Sequence, residues 1–171
     1  MAKVYVSIGS NIDRDVYINN ALTSLQTNFG HLVISSVYES EAVGFTGDNF
    51  YNLVAGFETE LSVGELSALL KNIEDQNDRC RKGPRFSGRT LDIDILTYDQ
   101  LTGDHDGVQL PRDEITKNAF VLWPLAEIAG QDQHPVSLIS YEQLWADYEK
   151  DSQQLWSVEY IWQGHSLPAD V

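Results

Sequence analysis

Apolar and polar positions alternate with period two from Lys3 to Ile8, where β-branched residues are frequent, and this predicts a first strand that Gly9-Ser10-Asn11 breaks by turning the chain. From Asp15 to Leu25 the spacing becomes helical. Val16, Ile18, Ala21, Leu22 and Leu25 then fall on one face for burial against a sheet. His31 to Tyr38 and Phe50 to Glu60 read as two more strands, joined by a long segment (40–49) with two glycines and small polar residues. Long ordered loops in compact domains are often functional. Ser62 with Glu65 is a capping-box pattern, and Leu66, Leu69, Leu70 and Ile73 carry a second helix to about Asp78. Period two returns in Leu91-Asp92-Ile93-Asp94-Ile95-Leu96, which puts Leu91, Ile93 and Ile95 on one face of a strand and the two aspartates on the other. Further on, the pattern predicts a surface turn at 103–107, a mixed-charge turn at 112–117, and a short helix over 122–129 with Pro124 in its first turn. Ser140 with Gln143 then caps a helix from Tyr141 to about Lys150. A late strand follows, in which Trp156, Val158, Tyr160 and Trp162 alternate.

The order β-α-β-β-α-β predicts an α+β fold, a ferredoxin-like sheet with helices on one face, followed by the C-terminal helix and late strand. A length of 171 residues, 42% of them apolar, favours one domain (1–171) with a real core. The formal net charge of −15 opposes general binding to nucleic acid or to an anionic membrane. A ferredoxin-like RNA-binding module would instead need a basic sheet face with exposed strand aromatics. No apolar run has signal-peptide length or approaches the roughly 20 residues that span a bilayer, so a soluble cytoplasmic protein is expected. The single cysteine, Cys80, forms no intramolecular disulfide and is assigned to packing, and His31, His105, His134 and His165 lack metal-ligand spacing.

Against this acidic background, the stretch 79–94 concentrates Arg79, Arg81, Lys82, Arg85 and Arg89, five of the eleven basic residues, beside Asp92 and Asp94. Carboxylates two apart in a strand are separated by roughly 6.6 Å, a spacing that can hold one or two hard cations. Taken alone, such a pair reads first as the solvated face of an edge strand. Beside an Arg/Lys loop marked by Gly83, Pro84 and Gly88, it points to a polyphosphate with magnesium, with guanidinium forks on the phosphate oxygens.

The run Arg89-Thr90-Leu91-Asp92-Ile93-Asp94-Ile95 resembles the signature of the 6-hydroxymethyl-7,8-dihydropterin pyrophosphokinases, enzymes of folate biosynthesis. The similarity extends, in the family's order, through Tyr5 to Asn11, Phe50-Tyr51-Asn52, and Phe120 to Ala129. The resemblance implies a ferredoxin-like core and Mg-dependent transfer of the β,γ-pyrophosphoryl group of ATP to the hydroxymethyl oxygen of the reduced pterin, giving AMP. It implies that Asp92 and Asp94 hold two Mg²⁺ ions, with Arg79, Arg85 and Arg89 also catalytic. For ATP it implies Glu74, Arg79, Lys82, Arg89, Ile95 and Arg112. For the pterin it implies Ser40, Ala42, Val43, Phe50, Asn52 and Phe120, in a protein expected to be a monomer.

Four departures accompany the likeness. Glu39-Ser40-Glu41-Ala42 stands where the family usually shows Arg-Thr-x-Pro, so loop rigidity there does not carry over. Phe86 replaces a common Trp, keeping a stacking surface and losing a donor. Arg112 replaces a His and can still pair with phosphate, whereas Asn118 replaces an Arg without its charge. A diverged paralogue that binds pterin or nucleotide, either without turnover or with an altered substrate related to the usual pterin, is the alternative these departures raise.

Overall fold

The computed structural model describes residues 1–41, 48–78 and 90–171. The first strand, β1 (Ala2–Ser10), lies between β4 (Phe50–Thr59) and β5 (Asp92–Tyr98), antiparallel to both. It is buried on both faces, as a central strand must be. Outside β4 lie β2 (Val33–Ile34) and β3 (Val37–Ser40), so the order β5-β1-β4 followed by β2 and β3 is that of a ferredoxin-like sheet. Two helices, α1 (Arg14–Phe29) and α2 (Val63–Gln76), supply the crossovers of the β-α-β-β-α-β unit.

Gly9 and Ser10 are extended and paired with Asn52 and Tyr51, so β1 runs two residues beyond its expected end and the turn begins at Asn11. The predicted strand over 31–38 divides in two at Ser35. Its Oγ accepts the Val54 N–H at 2.9 Å and takes the place of a regular ladder bond. Helix α1 buries Ile18, Ala21, Leu22 and Leu25, spaced i, i+3, i+4, i+7. Val16 falls off that stripe and is 56% exposed. In α2 the capping box is complete, with Ser62 accepting from the Glu65 N–H and Glu65 accepting from the Ser62 N–H.

Helices cover both faces of the sheet, where one was expected. Val4, Val6, Ile8, Ile93 and Ile95 pack beneath α1 and α2. Tyr5, Val54 and Leu96 pack on the opposite side against α3 (Ala119–Ala129) and Tyr141 of α4 (Tyr141–Asp147). Helix α3 begins earlier than expected because the Asn118 carbonyl accepts from both Val121 and Leu122, and the Gln153 side chain accepts the Ala119 N–H at 2.6 Å. Pro124 therefore sits in the helix interior. The expected turn at 103–107 is a hairpin of β6 (Gly103–His105) and β7 (Val108–Leu110), and 113–116 form one 3-10 turn.

The C-terminal stretch adds two strands to the same sheet and forms a separate two-stranded ribbon. Strand β8 (Leu155–Val158) pairs with β3, and the expected late strand then breaks at Glu159-Tyr160 before β9 (Ile161–Trp162) pairs with β10 (His165–Ser166). Strand β11 (Ala169–Asp170) returns to β2. Trp162 is buried against the α1 side and its indole donates to Thr23. No helix among the described residues is long and apolar enough to cross a membrane.

Candidate active site

Three strands bring the predicted residues into one row. Gly9 pairs with Asn52 on one side and with Asp92 on the other. Their neighbours Ile8, Leu53 and Ile93 all point into the core under α1 and α2, so Asn52 and Asp92 point to the opposite face. With strands about 4.8 Å apart, the two residues stand about 10 Å from each other across the glycine. A Cβ at position 9 would lie 2.9 Å from the Asn52 side-chain oxygen, so any larger residue would push the amide aside. That amide is already oriented: its Nδ2 donates to the buried Ser40 Oγ at 3.1 Å. The Asn52 oxygen is thereby turned over Gly9. Phe50, half-buried, lies two residues before Asn52 and so on the same face, and Phe120 sits on α3, which packs across β3 and β4.

At the other end of the row, Asp92 and Asp94 are half-buried, while Leu91, Ile93 and Ile95 are buried as the alternation predicts. The aspartates open on a cleft of about 520 Å³ lined by Lys71, Glu74, Arg112, Asp113 and Glu114 among others. Arg112 is held there by Glu114, with its Nε at 3.0 Å and a terminal nitrogen at 2.7 Å from one Glu114 oxygen. The other Glu114 oxygen accepts from Asn118 at 3.2 Å. The guanidinium reaches to 3.6 Å from Asp94. Glu74 is buried and accepts the Ile93 N–H at 2.7 Å, which fixes the outer edge of β5 to α2. Ile95 also lines the cleft, although its side chain is buried in the core.

The chemistry of this donor set fits a hard cation. Among the described residues the cleft presents five carboxylates, Glu74, Asp92, Asp94, Asp113 and Glu114, against the two cations Lys71 and Arg112. Also among these residues, no three His, Cys, Asp or Glu side chains converge as a cage. A pair of carboxylates with the remaining positions left to phosphate oxygens and water is how magnesium is commonly held.

Several predicted positions lie outside the described residues: Ala42 and Val43 of the pterin set, Arg79, Lys82, Arg85 and Arg89 of the basic loop, and Phe86 and Cys80. Two contributors escaped sequence reasoning. The local pattern around Gly9 predicts a turn, although an isolated glycine in a strand pattern also signals close approach to the backbone. Glu114 carries no local signal, because its role depends on Arg112 folding back onto it. Glu39, one of the departures from the family pattern, is paired with Arg14 at 3.5 Å.

The model of the 7,8-dihydro-6-hydroxymethylpterin-pyrophosphokinase family matches residues 5–130. The chain belongs to this family. The 2-amino-4-hydroxy-6-hydroxymethyldihydropteridine pyrophosphokinase of Aquifex aeolicus is 36% identical over 141 residues, covering 80% of this chain and 86% of that protein. The Bacillus subtilis protein of the same name is 34% identical over 131 residues, covering 74% and 78%. A solved structure of Plasmodium falciparum HPPK-DHPS with pterin and p-hydroxybenzoate superposes with a TM-score of 0.69 at 14% identity, a likeness of fold. It covers 88% of this chain, which spans only 43% of that longer protein. The activity that follows from family membership is that of a pterin pyrophosphokinase, a transferase of folate biosynthesis.

Proposed function

We propose that this chain transfers the pyrophosphoryl group of ATP to the hydroxymethyl oxygen of 6-hydroxymethyl-7,8-dihydropterin, with magnesium, across the row Asp92, Gly9, Asn52. The observation that carries the reading is that row itself: a neutral, oriented amide and a carboxylate pair share one face with only a glycine between them. In the reaction the hydroxymethyl oxygen bonds to the β-phosphorus, the bond from that phosphorus to the α,β-bridging oxygen breaks, AMP leaves, and the hydroxyl proton is lost.

The chain's residues bind and orient both reactants. Asn52 offers a donor and an acceptor to the pterin edge, and Ser40 keeps that amide from rotating. Phe50 and Phe120 supply ring faces for the flat bicycle. Asp92 and Asp94 hold the cation, Arg112 meets phosphate oxygen, and Ile95 lines the nucleotide cleft. The predicted cations Arg79, Lys82, Arg85 and Arg89 neutralise the charge that builds on the transferred group. Magnesium, when bound, would offset the triphosphate charge and make the attacking hydroxyl more acidic. Gly9, without a Cβ, leaves the Asn52 oxygen its place between the two halves.

The test is metal dependence with product analysis. The purified chain stripped with a chelator should release AMP only after Mg²⁺ is restored, and the Asp94→Ala variant should stay inactive at saturating Mg²⁺. Undiminished turnover by that variant would remove the metal role from the aspartates. Formation of ADP in place of AMP would contradict transfer of two phosphates together.

A further inference from the structure

A cluster on the opposite face of the sheet is not used by this reaction, yet it lies directly behind the pterin half. Arg14, at the start of α1, donates to the Asn49 carbonyl at 3.0 Å, stands 3.5 Å from the Glu39 carboxylate, and covers the Tyr51 ring at 3.9 Å. Asn49 in turn donates to the same Glu39 oxygen at 3.0 Å. Glu39 and Tyr51 are cross-strand partners, as are Ser40 and Phe50, and Tyr38 and Asn52. One guanidinium thus joins the end of β3 to the beginning of β4 from behind.

We propose that Arg14 is a positioning residue for pterin recognition, holding β3 in register with β4 so that Ser40 and Asn52 meet on the site face. The inference rests on the functional reading above. Its physical basis is the period of two in a strand. A slip of one residue would turn Ser40 to the α1 side and leave the Asn52 amide without the partner that orients it. Strand β3 has only four residues and pairs with β4 at three positions, so that ladder alone gives limited resistance to a slip against β4, even with β8 on its other edge. Arg14 adds a charged hydrogen bond, an ion pair and a stacked face at once. It is 27% exposed and Glu39 20%, so solvent screens the pair only in part. A lysine could keep the charge but not the planar fork and stack together.

Steady-state kinetics and direct pterin titration on the full chain test this. Arg14→Met should raise the pterin KM by about tenfold, the scale of one lost charge-assisted hydrogen bond, while the ATP KM and kcat change less than about twofold. Arg14→Lys should fall between, and remains informative if the Met variant folds poorly. The double variant Arg14→Glu with Glu39→Arg should bind pterin better than Arg14→Glu alone. An unchanged pterin KM, equal losses for both substrates, or a double variant no better than the single would each overturn the role. In all three cases the parent protein still binds pterin. If the parent binds none, the functional reading itself falls and takes this role with it.

Discussion

The two ends of the row from Asp92 to Asn52 are built on different principles. At the Asp92 end, charges dominate: half-buried carboxylates face an open cleft, with Arg112 steered by Glu114 and the strand edge fixed by Glu74. At the Asn52 end the described groups on the site face, Ser40, Phe50, Asn52 and Phe120, are neutral. A buried hydroxyl orients one amide, and the charged residues Arg14 and Glu39 are kept behind the sheet. The difference matches the ligands proposed for the two ends. A triphosphate is recognised by charge, and an acidic cleft suits it only when cations come with it. A flat heterocycle is recognised by a few exactly satisfied hydrogen bonds between apolar faces, where an unpaired charge would carry a desolvation cost.

The sharpest way to break this contrast is to remove charge from one end alone. Asp92→Asn should lower kcat by about a thousandfold or more while pterin binding, measured by titration, stays near the parent value. A comparable loss of pterin affinity would mean the two ends are not separate. Replacing the amide comes next in size. Asn52→Leu should raise the pterin KM by about thirtyfold, since the buried Ser40 hydroxyl and the pterin edge both lose their partner, and should leave ATP binding unaltered. Gly9→Ala probes the boundary. Its added Cβ would force the Asn52 oxygen from its place and should raise the pterin KM by about tenfold, with a smaller fall in kcat.

The smallest expected effect lies outside both ends. His134 is 8% exposed, and its Nδ1 accepts from the Val136 and Ser137 N–H groups at 3.2 and 3.3 Å. Burial holds its pKa below the usual histidine value. The folded state therefore favours the neutral ring. Stability should be full above about pH 6.5, the unfolded value, and decline as pH falls from there toward the lower folded value. Unfolding midpoints at pH 7.5 and 5.5 should show that decline in the parent and a flatter response in His134→Asn, which keeps an acceptor without the titration. Pterin and ATP KM values should not follow it.

Much of this architecture can be read locally. The alternation in 91–96 determines which face the aspartates take, and the Ser62–Glu65 box marks the start of α2 just ahead of the strand that completes the row. What could not be read depends on distant partners. Ser35 divides a strand only because Val54 stands opposite. The start of α3 is drawn forward by Gln153, so Pro124 moves from the first turn into the interior. Gly9 beside Ser10 and Asn11 has the local chemistry of a turn, and only its two strand partners place it between Asn52 and Asp92 in the candidate site. The second helical layer escaped for a similar reason: Tyr5, Val54 and Leu96 are scattered in sequence and form an apolar face only once β1, β4 and β5 are side by side.

The most direct test of the central claim is AMP release by the purified chain from ATP and Mg²⁺, with and without 6-hydroxymethyl-7,8-dihydropterin. The account predicts AMP only when the pterin is present, in amounts equal to the pterin diphosphate formed, and none from the Asp92→Ala control. AMP released equally without the pterin, or full activity in that control, would contradict it.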